Sequence, residues 1–293
     1  MEKRRDFLKQ AGLLAAGGLI APRWLSSCKG LKEHEGKYMG IQLYSLREMV
    51  AKEGIEAAMK LVSKTGFKHV ETANYEEGMI YGFEPAEFRK RVHDLGMSCT
   101  SAHVGKMLEA GKEDEVMSWW VGAIEAHAEV GAAHLIFPWM PINAGTTGDD
   151  LKRYCDYFNE IGLLASQVGI AFGYHNHAFE FGMIEGERVF DFLMDHVNRE
   201  VVQFELDVYW CQEGGGNPVQ FLTERGDQIN AIHIKDVQEI GRSEKMDFQP
   251  IFAQMKTNGI KNWYVEVEEF TDNDAVKGLK ESYEFLEKAD YVY

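Results

Sequence analysis

The sequence predicts a single (β/α)8 barrel over residues 38–293, preceded by an export segment. Three observations carry that fold class. Short apolar runs alternate with longer amphipathic ones, enough for eight strand–helix units. Five helix-like stretches exit through a glycine just before the next apolar run. A doubly wound open sheet is the main alternative, but no glycine-rich dinucleotide fingerprint is present to favour it. The chain has 293 residues, 45% hydrophobic and 27% charged, as a globular protein does, and a barrel of this kind uses about 250 residues as one domain.

The expected strands, in order, are "MGIQLYS" (39–45), "KHVETA" (68–73), "MSCTSAHV" (97–104), "AHLIFPW" (133–139), "GIAFGYHNH" (169–177), "VVQFELDV" (201–208), "INAIHIKD" (229–236) and "NWYVEVEE" (262–269). Helix-like stretches lie between them, for example 52–65, 84–95, 113–130, 150–168 and 273–289, where apolar residues recur at spacings of three and four. The glycines that stop helices are Gly66, Gly96, Gly131, Gly169 and Gly259, a position that suits a residue tolerant of positive φ. "GGGNP" (214–218) has the wrong context for a phosphate loop and reads as a turn before a helix.

Residues 1–27 read as an address. "KRRDFLKQ" (3–10) carries Arg4 and Arg5, and "AGLLAAGGLIAP" (11–22) is too short to span a bilayer comfortably, which takes about 20 apolar residues. The run resembles a twin-arginine export signal. "LSSC" (25–28) resembles a bacterial lipobox in which Cys28 is lipidated. A polar linker follows over 28–37, so the expected location is periplasmic, with contact to the membrane only through a lipid on Cys28. An ordinary cleaved signal with an incidental cysteine is the plainer alternative. Cys99, Cys155 and Cys211 form no C-x-x-C pair and suit small buried apolar roles.

The formal net charge is −16, and no basic cluster offsets it. The chain is therefore a poor candidate for nucleic-acid binding, and no nucleic-acid partner is expected, because phosphate contacts need Lys and Arg. A small molecule remains, with the oligomeric state open.

In such barrels, sites sit at the C-terminal ends of the strands. Here those ends hold Gln42 and Tyr44, Glu71, His103, Pro138-Trp139, His175-Asn176-His177, Glu205 and Asp207, His233 with Lys235 and Asp236, and Glu266 with Glu268. A lone strand-end His is commonly a satisfied hydrogen-bonding residue, and a lone Asp before a helix is commonly an N-cap. Four successive strands offering imidazole and carboxylate to one mouth form an N/O ligand set, suited to one divalent Mn, Co, Zn or Ni ion. Strand alternation places His175 with His177, Glu205 with Asp207, and Glu266 with Glu268 on common faces. Depth then selects His175, Asp207, His233 and Glu266 as ligands, with His177, Glu180 and Glu268 higher, at substrate level.

From about residue 38 to 289 the chain resembles the sugar phosphate isomerase/epimerase family, the xylose-isomerase-like barrels. The residues that carry the resemblance are "GIQLYSLRE", "SAHVG", "GYHNHAFEF", "FELDVYW", "HIKD" and "WYVEVEE". It implies a divalent metal on the same four residues, and it matches His103 to a histidine that lines the pocket. Many members have Glu where His175 stands, which weakens a simple two-base epimerase. The family's Gly-x-Gly turn is replaced by "GRSEKMDFQPIF" (241–252).

The expected function is a metal-dependent isomerase or epimerase acting on a keto sugar or sugar derivative. The metal polarises a carbonyl and acidifies the neighbouring C–H. Glu266, Glu180 or His177 takes the proton to give an enediolate, and Glu180, His177 or Lys235 supplies the further transfer. Expelling a β-leaving group instead gives a lyase or hydratase on 3-keto glycosides. Trp139, Tyr209 and Trp210 offer a stacking surface for the sugar, or simply pack the rim. A non-catalytic, lipid-anchored sugar-binding protein is the alternative of another class. Phosphodiester cleavage of DNA is disfavoured by the acidic charge.

Overall fold

The computed structural model describes residues 37–293. The export-signal and lipobox readings, Cys28 included, lie outside the described residues.

Eight parallel strands close into a barrel: β1 (Gly40–Gln42), β2 (His69–Thr72), β3 (Ser98–His103), β4 (His134–Phe137), β5 (Ala171–His175), β6 (Val202–Asp207), β7 (Ile229–Lys235) and β8 (Asn262–Glu266). Each strand pairs with its neighbours in the chain, and β8 pairs with β1 to complete the ring. Every expected strand is present, though shorter. β1 stops at Gln42, where a 3-10 turn over Leu43–Leu46 takes over. β5 ends at His175, which leaves His177 on the loop above.

Among the described residues, ten helices surround the ring: α1 (Arg47–Glu53), α2 (Ile55–Thr65), α3 (Pro85–Asp94), α4 (Glu113–Val130), α5 (Gly148–Ser166), α6 (Val189–His196), α7 (Val208–Glu213), α8 (Pro218–Arg225), α9 (Phe248–Asn258) and α10 (Ala275–Lys288). Their starts follow side-chain chemistry. Thr147 and Asp150 form a capping box on α5, and Asp207, Asn217, Asp247 and Asp274 each accept an N–H at the start of α7, α8, α9 and α10. The "GGGNP" turn does lead into a helix, with Pro218 in its first turn. All five pre-strand glycines have positive φ, between 73° and 124°. A small hairpin, Met183–Ile184 with Glu187–Arg188, lies outside the barrel and carried no clear signal in the sequence.

Outward-facing strand residues form the core with the helices. Phe172 meets Phe158 of α5, Phe204 meets Phe190 of α6, and Trp263 meets Phe252 of α9, with centroids 5.2–6.0 Å apart. Cys99, Cys155 and Cys211 are buried and unpaired, as their spacing implied. The upper barrel interior is polar instead: Gln42, Glu71, Ser101, Glu205, Asp207, His233 and Lys235 are all buried. Buried polar groups at this density need partners, and that requirement shapes the site.

Candidate functional site

His175, Asp207 and Glu266 are the last residues of β5, β6 and β8, and His233 lies one inward step below the end of β7. A register shift between Phe204 and Glu205 sets Asp207 opposite His233. Without it Asp207 would face the level of Ile232, whose side chain points out toward the helices; such bulges recur beside active sites. His175 Nε2 and His233 Nδ1 each lie 4.0 Å from Asp207 Oδ2, and His233 Nδ1 lies 3.4 Å from Glu266 Oε2. One donor atom from each of the four residues falls within 4.8 Å of all the others.

Asp207 serves two structures with its two oxygens. Oδ1 accepts the Trp210 N–H at 2.7 Å to cap α7, while Oδ2 has no hydrogen-bond partner. His233 Nδ1 is likewise buried and unpartnered. Leaving such groups unsatisfied costs about 1–3 kcal/mol each. Two imidazoles and two carboxylates around one point, two of their atoms lacking any other partner, fit a divalent transition metal.

Beneath these atoms lie two carboxylates. Glu71 Oε1 accepts from His233 Nε2 and from Gln42 Nε2, both at 2.7 Å, and Ser101 donates to its other oxygen. Glu205 Oε2 lies 2.7 Å from His103 Nε2 and 3.1 Å from both His175 Nδ1 and His233 Nε2. Above them, Lys235 Nζ lies 3.2 Å from Glu266 Oε2 and 2.8 Å from Glu268 Oε1, and Trp210 Nε1 reaches Glu268 at 3.4 Å.

Burial and neighbouring charge divide these groups. Burial pushes Asp207 up to about 7, and burial with the nearby Glu71 charge does the same to Glu205. Burial works the same way on Glu71, but His103 and His233 outweigh it and hold it at about 2. Glu266 is held well below the usual carboxylate range because Lys235 and His233 outweigh its burial. Burial lowers His175 well below the ordinary imidazole value and His177 to about 4. Burial also works to lower Lys235, yet the charges of Glu266, Asp207 and Glu268 hold it above the ordinary lysine value.

A cavity of 560 Å³ opens over this cluster. Of the residues singled out in the sequence, His103, Trp139, His175, His177, Trp210, Glu266 and Glu268 line it. Asp207, His233 and Lys235 sit just beneath, fully or almost fully buried. Glu180 and Tyr209 do not line it. The Glu180 carboxylate is buried under the loop, where it accepts from the Tyr174 hydroxyl and, at 2.8 Å, from the His177 N–H. A role for Glu180 as a base at the substrate is therefore corrected to one of holding that loop in place.

Tyr44, Arg47, Tyr75 and Trp119 also line the cavity, and sequence reasoning assigned none of them. Tyr44 stood at the first strand end and was legible. Tyr75 and Trp119 come from a loop and from α4, where helical spacing does not reveal which turn reaches the mouth.

The model of the xylose isomerase-like TIM barrel matches residues 59–289. The chain belongs to this family. Two solved family structures from Parabacteroides distasonis, each described as a sugar phosphate isomerase/epimerase, superpose closely. One is 33% identical with a TM-score of 0.80, covering 88% of this chain and 100% of its own. The other is 28% identical with a TM-score of 0.81, covering 89% and 99%. The chain is also similar to the inosose dehydratase of Geobacillus kaustophilus, 23% identical over 194 residues, or 59% of this chain and 62% of the relative. It thus spans about three fifths of the length of that curated relative.

Proposed function

We propose that the protein is a metal-dependent enzyme that removes a proton beside the carbonyl of a keto sugar or keto polyol. The observation that carries this reading is the convergence of His175, Asp207, His233 and Glu266 at the floor of a polar, aromatic-walled cavity. A divalent cation held by those four residues would supply Lewis-acid polarisation of the substrate carbonyl.

The chain's own groups do the rest. The imidazole of His177 lines the cavity, and burial keeps it neutral at pH 7, so it is free to accept the proton from the carbon beside the carbonyl. Lys235 stays charged and holds the Glu268 carboxylate at the cavity wall, and the proton that His177 takes up is the one returned. Trp139 and Trp210 line the cavity and offer aromatic faces on which the substrate ring would stack. Returning the proton to carbon gives isomerisation or epimerisation. Delivering it to a β-hydroxyl releases water and leaves an unsaturated ketone. The similarity to an inosose dehydratase and the imidazole in place of a second strand-end carboxylate favour this elimination.

Proton NMR in D₂O tests the reading. Metal-loaded protein is mixed with keto sugars, keto inositols and 3-keto glycosides. Deuterium uptake beside the carbonyl, or conversion to a dehydrated ketone, is expected with at least one of them. Tight binding of these compounds with neither change would mark a sugar-binding protein instead. The twin-arginine and "LSSC" stretches extend the proposal to an exported, lipid-anchored location. Fractionation of the full chain should place it in the membrane, and Cys28→Ala should release it; a cytoplasmic wild type would contradict this.

A further inference from the structure

We infer that Glu205 is a positioning residue that sets the tautomers of the two metal-site histidines, an inference that rests on the metal reading above. One oxygen of Glu205, fully buried, meets imidazole nitrogens from three different strands: His103 Nε2 of β3 at 2.7 Å, His175 Nδ1 of β5 at 3.1 Å and His233 Nε2 of β7 at 3.1 Å. Glu71 shares the last of these, at 2.7 Å. The register shift just before Glu205 places it at this level.

A neutral imidazole has one N–H and one lone pair, and the bond made by one nitrogen decides the role of the other. His175 that donates Nδ1–H down to Glu205 turns the Nε2 lone pair up. His233 that donates Nε2–H down to Glu71 and Glu205 turns the Nδ1 lone pair up. These are the two atoms that stand 4.0 Å from Asp207 Oδ2. The two histidines would thus hold the ion through opposite nitrogens, and the carboxylates below make the opposite choices compatible. Carboxylate partners of this kind typically change metal affinity by roughly 10–100-fold. A neutral His103 that gives its Nε2–H to Glu205 at 2.7 Å would keep Nδ1 as an acceptor at the cavity wall.

The test is zinc binding together with long-range ¹H–¹⁵N NMR of the histidine rings in wild type and Glu205→Gln. Wild type should take up one zinc per chain, with a proton on His175 Nδ1 and on His233 Nε2. Glu205→Gln should bind zinc roughly 10–100-fold more weakly and shift or lose the His175 Nδ1–H signal. Should that variant be insoluble, Glu205→Asp keeps the charge, withdraws the oxygen by one methylene, and should show the same loss. Variants that bind as wild type does, with unchanged ring signals, overturn the inference. So does a wild type that binds two zinc ions per chain and shows no ring proton on either histidine, since Glu205 would then itself be a ligand. Wild type that takes up no zinc, cobalt or manganese instead overturns the metal reading itself.

Discussion

Asp207 Oδ2 and His233 Nδ1 face each other across 4.0 Å, and neither buried atom has a hydrogen-bond partner. The same aspartate spends its other oxygen on the N-terminus of α7. Asp207→Asn keeps an oxygen for the cap and removes the anionic donor. Metal affinity should fall at least about 100-fold, while the melting temperature of the metal-free protein changes little. Titration with Zn²⁺ or Co²⁺ and thermal unfolding, measured side by side, check both halves.

Glu268→Gln separates chemistry from metal binding. Its carboxylate is held by Lys235 and Trp210 at the cavity wall, and it is not one of the four converging donors. Turnover should drop by about 10²–10⁴-fold with metal content unchanged. A sugar-binding protein would keep its affinity and show no turnover in either form.

Lys235→Met leaves the Glu266 and Glu268 carboxylates without the buried cation that lies between them. Breaking a buried ion pair from one side costs about 3–5 kcal/mol. Denaturant unfolding of the metal-free protein should show a loss of that order. A neutral result would mean that the ammonium does not compensate these charges.

Trp139 is 47% exposed at the mouth, so its removal should not disturb the fold. If it stacks on the substrate ring, Trp139→Ala should raise KM by roughly 2–12-fold, the equivalent of an aromatic contact of about 0.5–1.5 kcal/mol. An unchanged KM would return Trp139 to rim packing.

Glu180 links pH to stability. Burial raises it from 4.5 to about 8, so the folded chain favours the neutral acid. Its contribution is therefore full below pH 4.5 and is lost as pH rises toward 8, where the unfolded chain has already released the proton. Wild type should lose melting temperature across that window more steeply than Glu180→Gln. Parallel curves for the two proteins would show that the carboxyl is ionised in the folded state.

The barrel and its ligand-bearing strand ends were legible because they depend on local pattern. Apolar runs marked the eight strands, preceding glycines marked the starts of five of them, alternation showed which strand-end residues share a face, and position at the strand end selected His175, Asp207, His233 and Glu266. Depth was harder to read. Glu71 and Glu205 were visible as strand-end acids, but their place beneath the histidines depends on register shifts at Val70/Glu71 and Phe204/Glu205, which leave no mark in the sequence. Glu180 looked catalytic because it lies close to His177 in the chain. The 3-10 turn over Ala178–Phe181 turns it down into the protein instead. Tyr209 fell off the cavity wall for a similar reason: the helix that Asp207 caps presents Trp210 to the mouth.

Anomalous diffraction from crystals grown with Zn²⁺, recorded on both sides of the zinc edge, tests the central claim most directly. One peak is expected, at about 2.0–2.2 Å from His175 Nε2, Asp207 Oδ2, His233 Nδ1 and Glu266. A cavity floor without a peak, or a peak seated on Glu205 and His103 instead, would contradict it.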